Sequence, residues 1–318
     1  MSEDTHTTII PCPYVLGATF KLEISPPHGD PFVAEAKVTH VFSPFTMSSA
    51  MKVALTPQSD STALPSEAVL KVYDRRFADD MREQEGLVPA TYEGEAQYAQ
   101  YLASEDVAKT EDEVYELMDQ IPEGDPNPLT LDEHLAAFII KSFFESETTV
   151  YPILSDLQGK HIPTFYGTTR FVDGSATLDT TVPGILIEFI PGTSLSNIDP
   201  ANTDLDAVCS TAMDIVYTCG DRNILNQDVR LGNFIVKPNG SEVVMIDFGD
   251  CRLRREDEDD QAWGEARWDE DEPGAVGCVA HTKFGWSYSQ SLSRSKRYVN
   301  FDLDLYTSKL DDLAAANL

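Results

Sequence analysis

Apolar Phe20, Leu22 and Ile24 alternate with polar neighbours across residues 18–24, the period-two pattern of a strand with one buried face. The turn-rich stretch Ser25-Pro-Pro-His-Gly-Asp-Pro31 closes it. A second strand region covers 32–42, with 51–55 as its extension, and 56–65 is polar and loop-like. Ala68-Val-Leu-Lys-Val-Tyr73 is a short apolar run with one lysine, of strand length and β-branched content. Residues 162–171 and 184–190 also read as strands. So do 233–237 and 242–246, joined by a Pro238-Asn-Gly240 turn. Helical spacing appears at 92–102, 111–118 and 204–219, the last with Leu205, Val208, Ala212, Ile215 and Val216 on one side. A longer helical pattern runs over 131–157 through Leu131, Leu135, Phe138, Ile139, Phe143, Val150, Tyr151 and Leu154. Thr130 with Glu133 reads as a capping box at its start. Pro152 predicts a kink or break. Residues from 303 form a helix-like tail, and no internal repeat is seen.

Composition narrows the possibilities. The chain has 318 residues and sets 54 acids against 23 bases, for a net charge of -31. Such a surface repels a phosphate backbone and an anionic membrane, so neither nucleic acid nor membrane is an expected partner. Apolar residues make up 42%, which supplies a packed core rather than disorder. The charge is concentrated. Residues 79–147 hold 19 acids and 3 bases, and 256–272 hold 10 acids and 1 base, whereas 148–255 have a net charge of only -5. The first run reads as an acidic helical insertion at about 75–130. The second reads as a solvated loop, with a lid or a dock for a basic protein partner as its functional alternative. Arg252, Arg254 and Arg255 are read as neutralising that loop, with contact to phosphate as the alternative. No apolar run reaches the ~20 residues of a membrane span. Met1-Ser-Glu-Asp-Thr-His6 has no signal-peptide pattern, and the five cysteines are sparse and odd in number. A cytoplasmic or nuclear location is expected.

The chemistry concentrates in Asn226-Gln-Asp-Val-Arg-Leu-Gly-Asn233, followed by Asp247-Phe-Gly249. Asp-x-x-x-x-Asn, a hairpin and a second carboxylate are what phosphoryl transfer needs. One carboxylate orients or deprotonates the acceptor hydroxyl. An amide oxygen and another carboxylate hold Mg²⁺ against phosphates. Asp228 is the candidate base, and Asn233 and Asp247 are the candidate metal ligands.

These blocks resemble the protein-kinase-like fold, and in particular fungal kinase-like proteins with similarity to aminoglycoside phosphotransferases. Ala68-Val-Leu-Lys71 resembles the strand that carries the phosphate-contacting lysine, Lys71. The helix around 145–157 resembles the one that supplies its partner, assigned to Glu147 with Glu145 as the neighbouring alternative. Leu186-Ile-Glu-Phe-Ile-Pro-Gly192 resembles the hinge. There Ile187 would be the gatekeeper, and Glu188, Phe189 and Ile190 would present backbone to adenine. The fungal likeness rests on Leu157-Gln-Gly-Lys-His-Ile-Pro163, Asn233-Phe-Ile-Val236 and Met245-Ile-Asp-Phe-Gly-Asp-Cys-Arg252. In kinase order the blocks span residues 68–252.

The resemblance implies an α+β, bilobal kinase-like architecture. Residues 1–187 would form a β-rich N-lobe, and 188–318 a shortened, mainly helical C-lobe. It implies ATP and Mg²⁺ as cofactors and transfer of the γ-phosphate to a hydroxyl acceptor, a small molecule or a protein. The alternative is a pseudokinase acting as a nucleotide-sensing or protein-interaction module, favoured by the first of three departures; the second implies no activation-loop control, and the third a truncated peptide-substrate platform. No G-x-G-x-x-G joins the first strands, Asn226-Gln227 replaces His-Arg, and no Ala-Pro-Glu follows Asp247.

Overall fold

A computed structural model describes residues 8–57, 64–122, 128–174 and 179–288. The chain divides into two compact units, Met1–Pro152 with Thr164–Phe189, and Ile153–Pro163 with Ile190–Leu318. The expected division between 187 and 188 falls two residues short of the observed change after Phe189. Segment 153–163, expected in the first part, belongs to the second. Hydrogen bonds hold it there. The Arg222 guanidinium donates to both carboxylate oxygens of Asp156, at 2.5 and 2.7 Å, and Met245 N–H donates to His161 O at 2.8 Å.

The first unit opens with four antiparallel strands, β1 (Thr19–Ser25), β2 (Phe32–Val41), β3 (Ser49–Pro57) and β4 (Glu67–Val72). Residues 51–55 are thus not an extension of β2 but the centre of a separate strand. Helices α1 (Asp79–Gln84), α2 (Tyr92–Leu102), α3 (Glu111–Asp119) and α4 (Leu129–Ile153) follow, then β5 (Phe165–Phe171) and β6 (Gly184–Glu188). The six strands close into a barrel in the order β1-β2-β3-β4-β6-β5, with β5 pairing back to β1. Period-two alternation drives this closure. Leu22, Ile24, Ala34, Ala36, Met51, Val53, Ala68 and Leu70 are fully buried on the inward face. Each large side chain so buried contributes about 1.5–3 kcal/mol. At the β1–β5 seam Gly167 has φ +140°, and a Cβ there would overlap the Ser25 carbonyl. Only glycine permits that approach.

Helix α4 corrects two expectations. It begins at Leu129, so Thr130 lies inside it, and the Pro128 carbonyl accepts the first N–H bonds, from Leu131 and Asp132. Glu133 does not complete a capping box. It is buried, accepting from Arg82 at 2.6 Å and from Arg75. Arg75 also grips Glu95 through two 2.8 Å bonds and lies over the Tyr98 ring at 4.4 Å. Arg75 and Arg82 therefore sit inside this acidic region, with Arg75 fastening α2 to α4, whereas Lys109 and Lys141 are exposed. Pro152 stands in the last turn of α4 and produces no break before it.

The second unit contains β7 (Thr193–Ser194), α5 (Leu205–Asp221), β8 (Ile224–Asn226), β9 (Phe234–Val236), β10 (Val243–Met245), β11 (Cys251–Leu253), α6 (Asp260–Glu270) and α7 (Glu272–Phe284). Strands β10, β9 and β7 form one small sheet, and β11 and β8 pair separately. Helix α5 buries Val208, Ala212, Ile215 and Val216 of its expected apolar side, with Leu205 half-buried and Cys209 buried as well. The acidic stretch 256–272 is not a solvated loop. Most of it is α6, which buries Trp263, Gly264 and Arg267, and Glu258 and Glu272 are buried as well. Arg252 and Arg254 hold Glu258 and Asp260, and Arg255 holds Asp257, which is the neutralisation the sequence implied. The tail from 303 and most of the 56–65 loop lie outside the described residues. Among the described residues no helix is long and apolar enough to cross a membrane.

Candidate functional site

In the first unit, Lys71 sits on β4, between β3 and β6, where alternation turns it off the sheet. Its ammonium meets the Glu147 carboxylate from α4 at 2.6 Å. Seventy-six residues separate the two, so folding rather than local sequence makes this pair. Glu147 is fully buried and Lys71 nearly so. The Tyr73 hydroxyl donates to the same Glu147 oxygen, Oε2. Glu145, the alternative partner, instead lies on the helix surface 3.6 Å from Lys141.

At the end of β6, Ile187 is buried opposite Val69 and Phe165. Glu188 is tied down. Its N–H donates to Thr164 O at 2.9 Å, and its carboxylate accepts from the Thr164 N–H and hydroxyl at 3.0 and 2.8 Å. That N–H is therefore committed and not open to a base edge. Phe189 lies half-buried under the Lys52 ammonium, 4.1 Å from the ring centre. Ile190 begins the second segment of the second unit.

The second unit gathers the carboxylates. Strand β8 delivers the loop holding Asp228, a single 3₁₀ turn (Leu231–Asn233) places Asn233, and the β9–β10 hairpin returns the chain to Asp247. Pro238-Asn-Gly240 turns that hairpin, with Gly240 at φ +71°. Asn226 ties the two motifs together. Its side-chain amide donates to Asp247 O at 3.1 Å, and its oxygen accepts the Asp228 N–H at 2.9 Å. Asn233 donates to Asp228 O and Oδ2 at 2.9 and 3.1 Å, and its own carbonyl accepts Ile246 N–H at 2.7 Å. Asp247 has φ +72°, a left-handed conformation costing a non-glycine residue roughly 1–3 kcal/mol. The fully buried Phe248 follows it.

Three further residues belong to this cluster. Arg230 pairs with Asp228 at 3.2 Å and donates to the Asn233 side-chain oxygen at 3.3 Å. Its signal was a base inside the Asp-x-x-x-x-Asn spacing. Asp250 has its carboxyl pushed up by burial and then by the charges of Asp228 and Asp247. It was visible only as an acid beside Asp-Phe-Gly. Glu272, at the start of α7, accepts the Asn226 N–H at 2.9 Å. Burial pushes its carboxyl up to about 8, against the opposing effects of that N–H and of Arg267. It lies 46 residues from Asn226, and no local pattern announces it.

Two clusters thus exist, each within its own unit: a buried lysine–glutamate pair, and an aspartate-rich loop cluster. Among the described residues no group of three or more His, Cys, Asp or Glu is arranged to hold a metal by itself. No protein-family model and no curated protein matches the chain.

Proposed function

We propose that the protein is an ATP- and Mg²⁺-dependent phosphotransferase of the protein-kinase-like superfamily, acting on a hydroxyl acceptor. The observation that carries this reading is the Lys71–Glu147 pair. The motif order assigns these two residues to each other, and the 2.6 Å contact joins them across 76 positions. The architecture supports it at the coarse level: a β-rich first unit and a mainly helical second one.

In this reading Lys71, steadied by Glu147, contacts the nucleotide phosphates. The backbone about Glu188, Phe189 and Ile190 borders the base. Asp228 orients the acceptor hydroxyl and takes its proton, with Arg230 at 3.2 Å holding its carboxylate. Asn233 and Asp247 are the metal ligands. Their hard oxygens suit Mg²⁺, which takes few protein ligands and fills its shell with water and phosphate. Burial first, and then the charges of Asp228 and Asp247, raise Asp250; a divalent cation would relieve the second of these effects. When bound, the metal neutralises charge on the transferring phosphoryl group.

One observation favours the second reading, a pseudokinase that binds nucleotide without transfer. Pro26, Pro27 and Pro31 remove three amide donors from the β1–β2 turn, where a phosphate-cradling loop is wanted. A basic protein partner for the acidic stretch would meet the carboxylates left exposed there, such as Glu256, Asp259 and Asp269.

The test is the melting temperature with and without ATP·Mg²⁺, for wild type and Asp247→Asn. Ligand at 100 times its Kd stabilises by about 2.7 kcal/mol. Wild type should shift and the variant much less. No shift at millimolar ATP·Mg²⁺ would overturn nucleotide binding. A shift without turnover on a panel of hydroxyl acceptors would select the pseudokinase.

A further inference from the structure

Tyr73 lies two residues beyond Lys71, just past the end of β4, so strand alternation directs both side chains to the same face. It is almost fully buried, and its N–H is anchored on Pro183 O at 3.0 Å. Its hydroxyl donates to Glu147 Oε2, the same atom that accepts the Lys71 ammonium. The Lys71 Nζ lies 5.9 Å from the Tyr73 ring centre. Phe144, one turn before Glu147 on α4, meets the ring edge-on at 5.4 Å. Tyr73 also lines a cavity of about 540 Å³, together with Ile140 and Val182. The edge-on Phe144 of α4 and the bond from the Tyr73 N–H thus hold the residue in place.

A glutamate and a lysine are both long and rotamer-rich, and a pair of them needs something rigid to fix it. Tyrosine has two soft side-chain torsions and a ring held here by α4. A buried phenol in the core needs only some acceptor. This one is aimed at the carboxylate that orients the lysine. We propose that Tyr73 is a positioning residue: its hydroxyl sets the Glu147 carboxylate and, through it, the Lys71 ammonium. The importance of that position for nucleotide affinity rests on the phosphotransferase reading; the positioning itself does not.

Two measurements on the full chain test this. The first is the Kd for ATP·Mg²⁺ by calorimetry. The second is the rate at which acetic anhydride acetylates Lys71 without nucleotide, followed by mass spectrometry. Tyr73→Phe keeps the ring and removes one hydrogen bond to a charged group. It should weaken ATP·Mg²⁺ about tenfold and speed Lys71 acetylation, with a melting temperature near wild type. Should Tyr73→Phe fold poorly, 3,5-difluorotyrosine at position 73, a stronger donor of similar shape, should move both readings the opposite way. Wild-type values of both affinity and acetylation rate in Tyr73→Phe would overturn the inference. If wild type itself shows no affinity for ATP·Mg²⁺, the functional reading falls, and the acetylation rate still decides the role of Tyr73.

Discussion

The two clusters treat charge in opposite ways. In the first unit a single opposite pair is sealed from water: the Lys71 side chain is 11% exposed and that of Glu147 0%. In the second, Asp228 and Arg230 are 39% and 57% exposed, and like charges crowd together until burial and repulsion raise Asp250. A buried pair must be complete, because removing one partner strands a desolvated charge. An open cluster of carboxylates tolerates loss of one member and gains from a cation. The first cluster is thus part of the fold's stability, and the second contributes less to it.

Mutations can break this contrast. The largest effect is expected from Glu147→Ala, which leaves the Lys71 ammonium buried without its carboxylate. It should destabilise the protein by about 3–5 kcal/mol in urea unfolding. A loss below ~1 kcal/mol, the range of exposed pairs, would show that the first cluster is no more structural than the second.

Glu272→Gln comes next, read through pH. The folded carboxyl titrates at about 8, against an ordinary 4.5. The folded state therefore keeps a proton that the unfolded chain has released. Wild-type stability from this group is fully present below 4.5 and is lost as pH rises through about 8. The amide variant can still accept the Asn226 N–H and should escape that loss. Its melting temperature should gain on wild type steadily over the same range, and parallel pH profiles would contradict the assignment. The smallest stability effect belongs to Asp228→Ala. Its exposed pair with Arg230 is worth at most ~1 kcal/mol, so unfolding should barely change, while the phosphate transfer we propose should be lost. A large destabilisation would dissolve the distinction between the clusters.

The sequence was most legible where a local rule acts alone. Alternation located β1, a short β-branched apolar run located β4, the Pro-Asn-Gly turn located the β9–β10 hairpin, and apolar spacing located α5. It misled where composition hid a sparse pattern. Ten acids in 256–272 suggested a loop, yet Trp263, Gly264 and Arg267 recur at helical spacing and face inward. Thr130 and Glu133 matched a capping box, but the carboxylate is taken by Arg75 and Arg82 from earlier in the chain.

By itself the sequence determined which residue types stand at which spacing. That includes a lysine on an apolar strand, Asp228 five residues before Asn233, and a carboxylate just after a hairpin. Only the tertiary structure decided the rest. Glu147 rather than Glu145 meets Lys71, Tyr73 shares that carboxylate, the strands close into a barrel, and Glu272 supports Asn226 from 46 positions away. The physical reason is range. Alternation, turns and helical spacing act over a few residues. Desolvation and ion pairing depend on which surfaces the folded chain brings together.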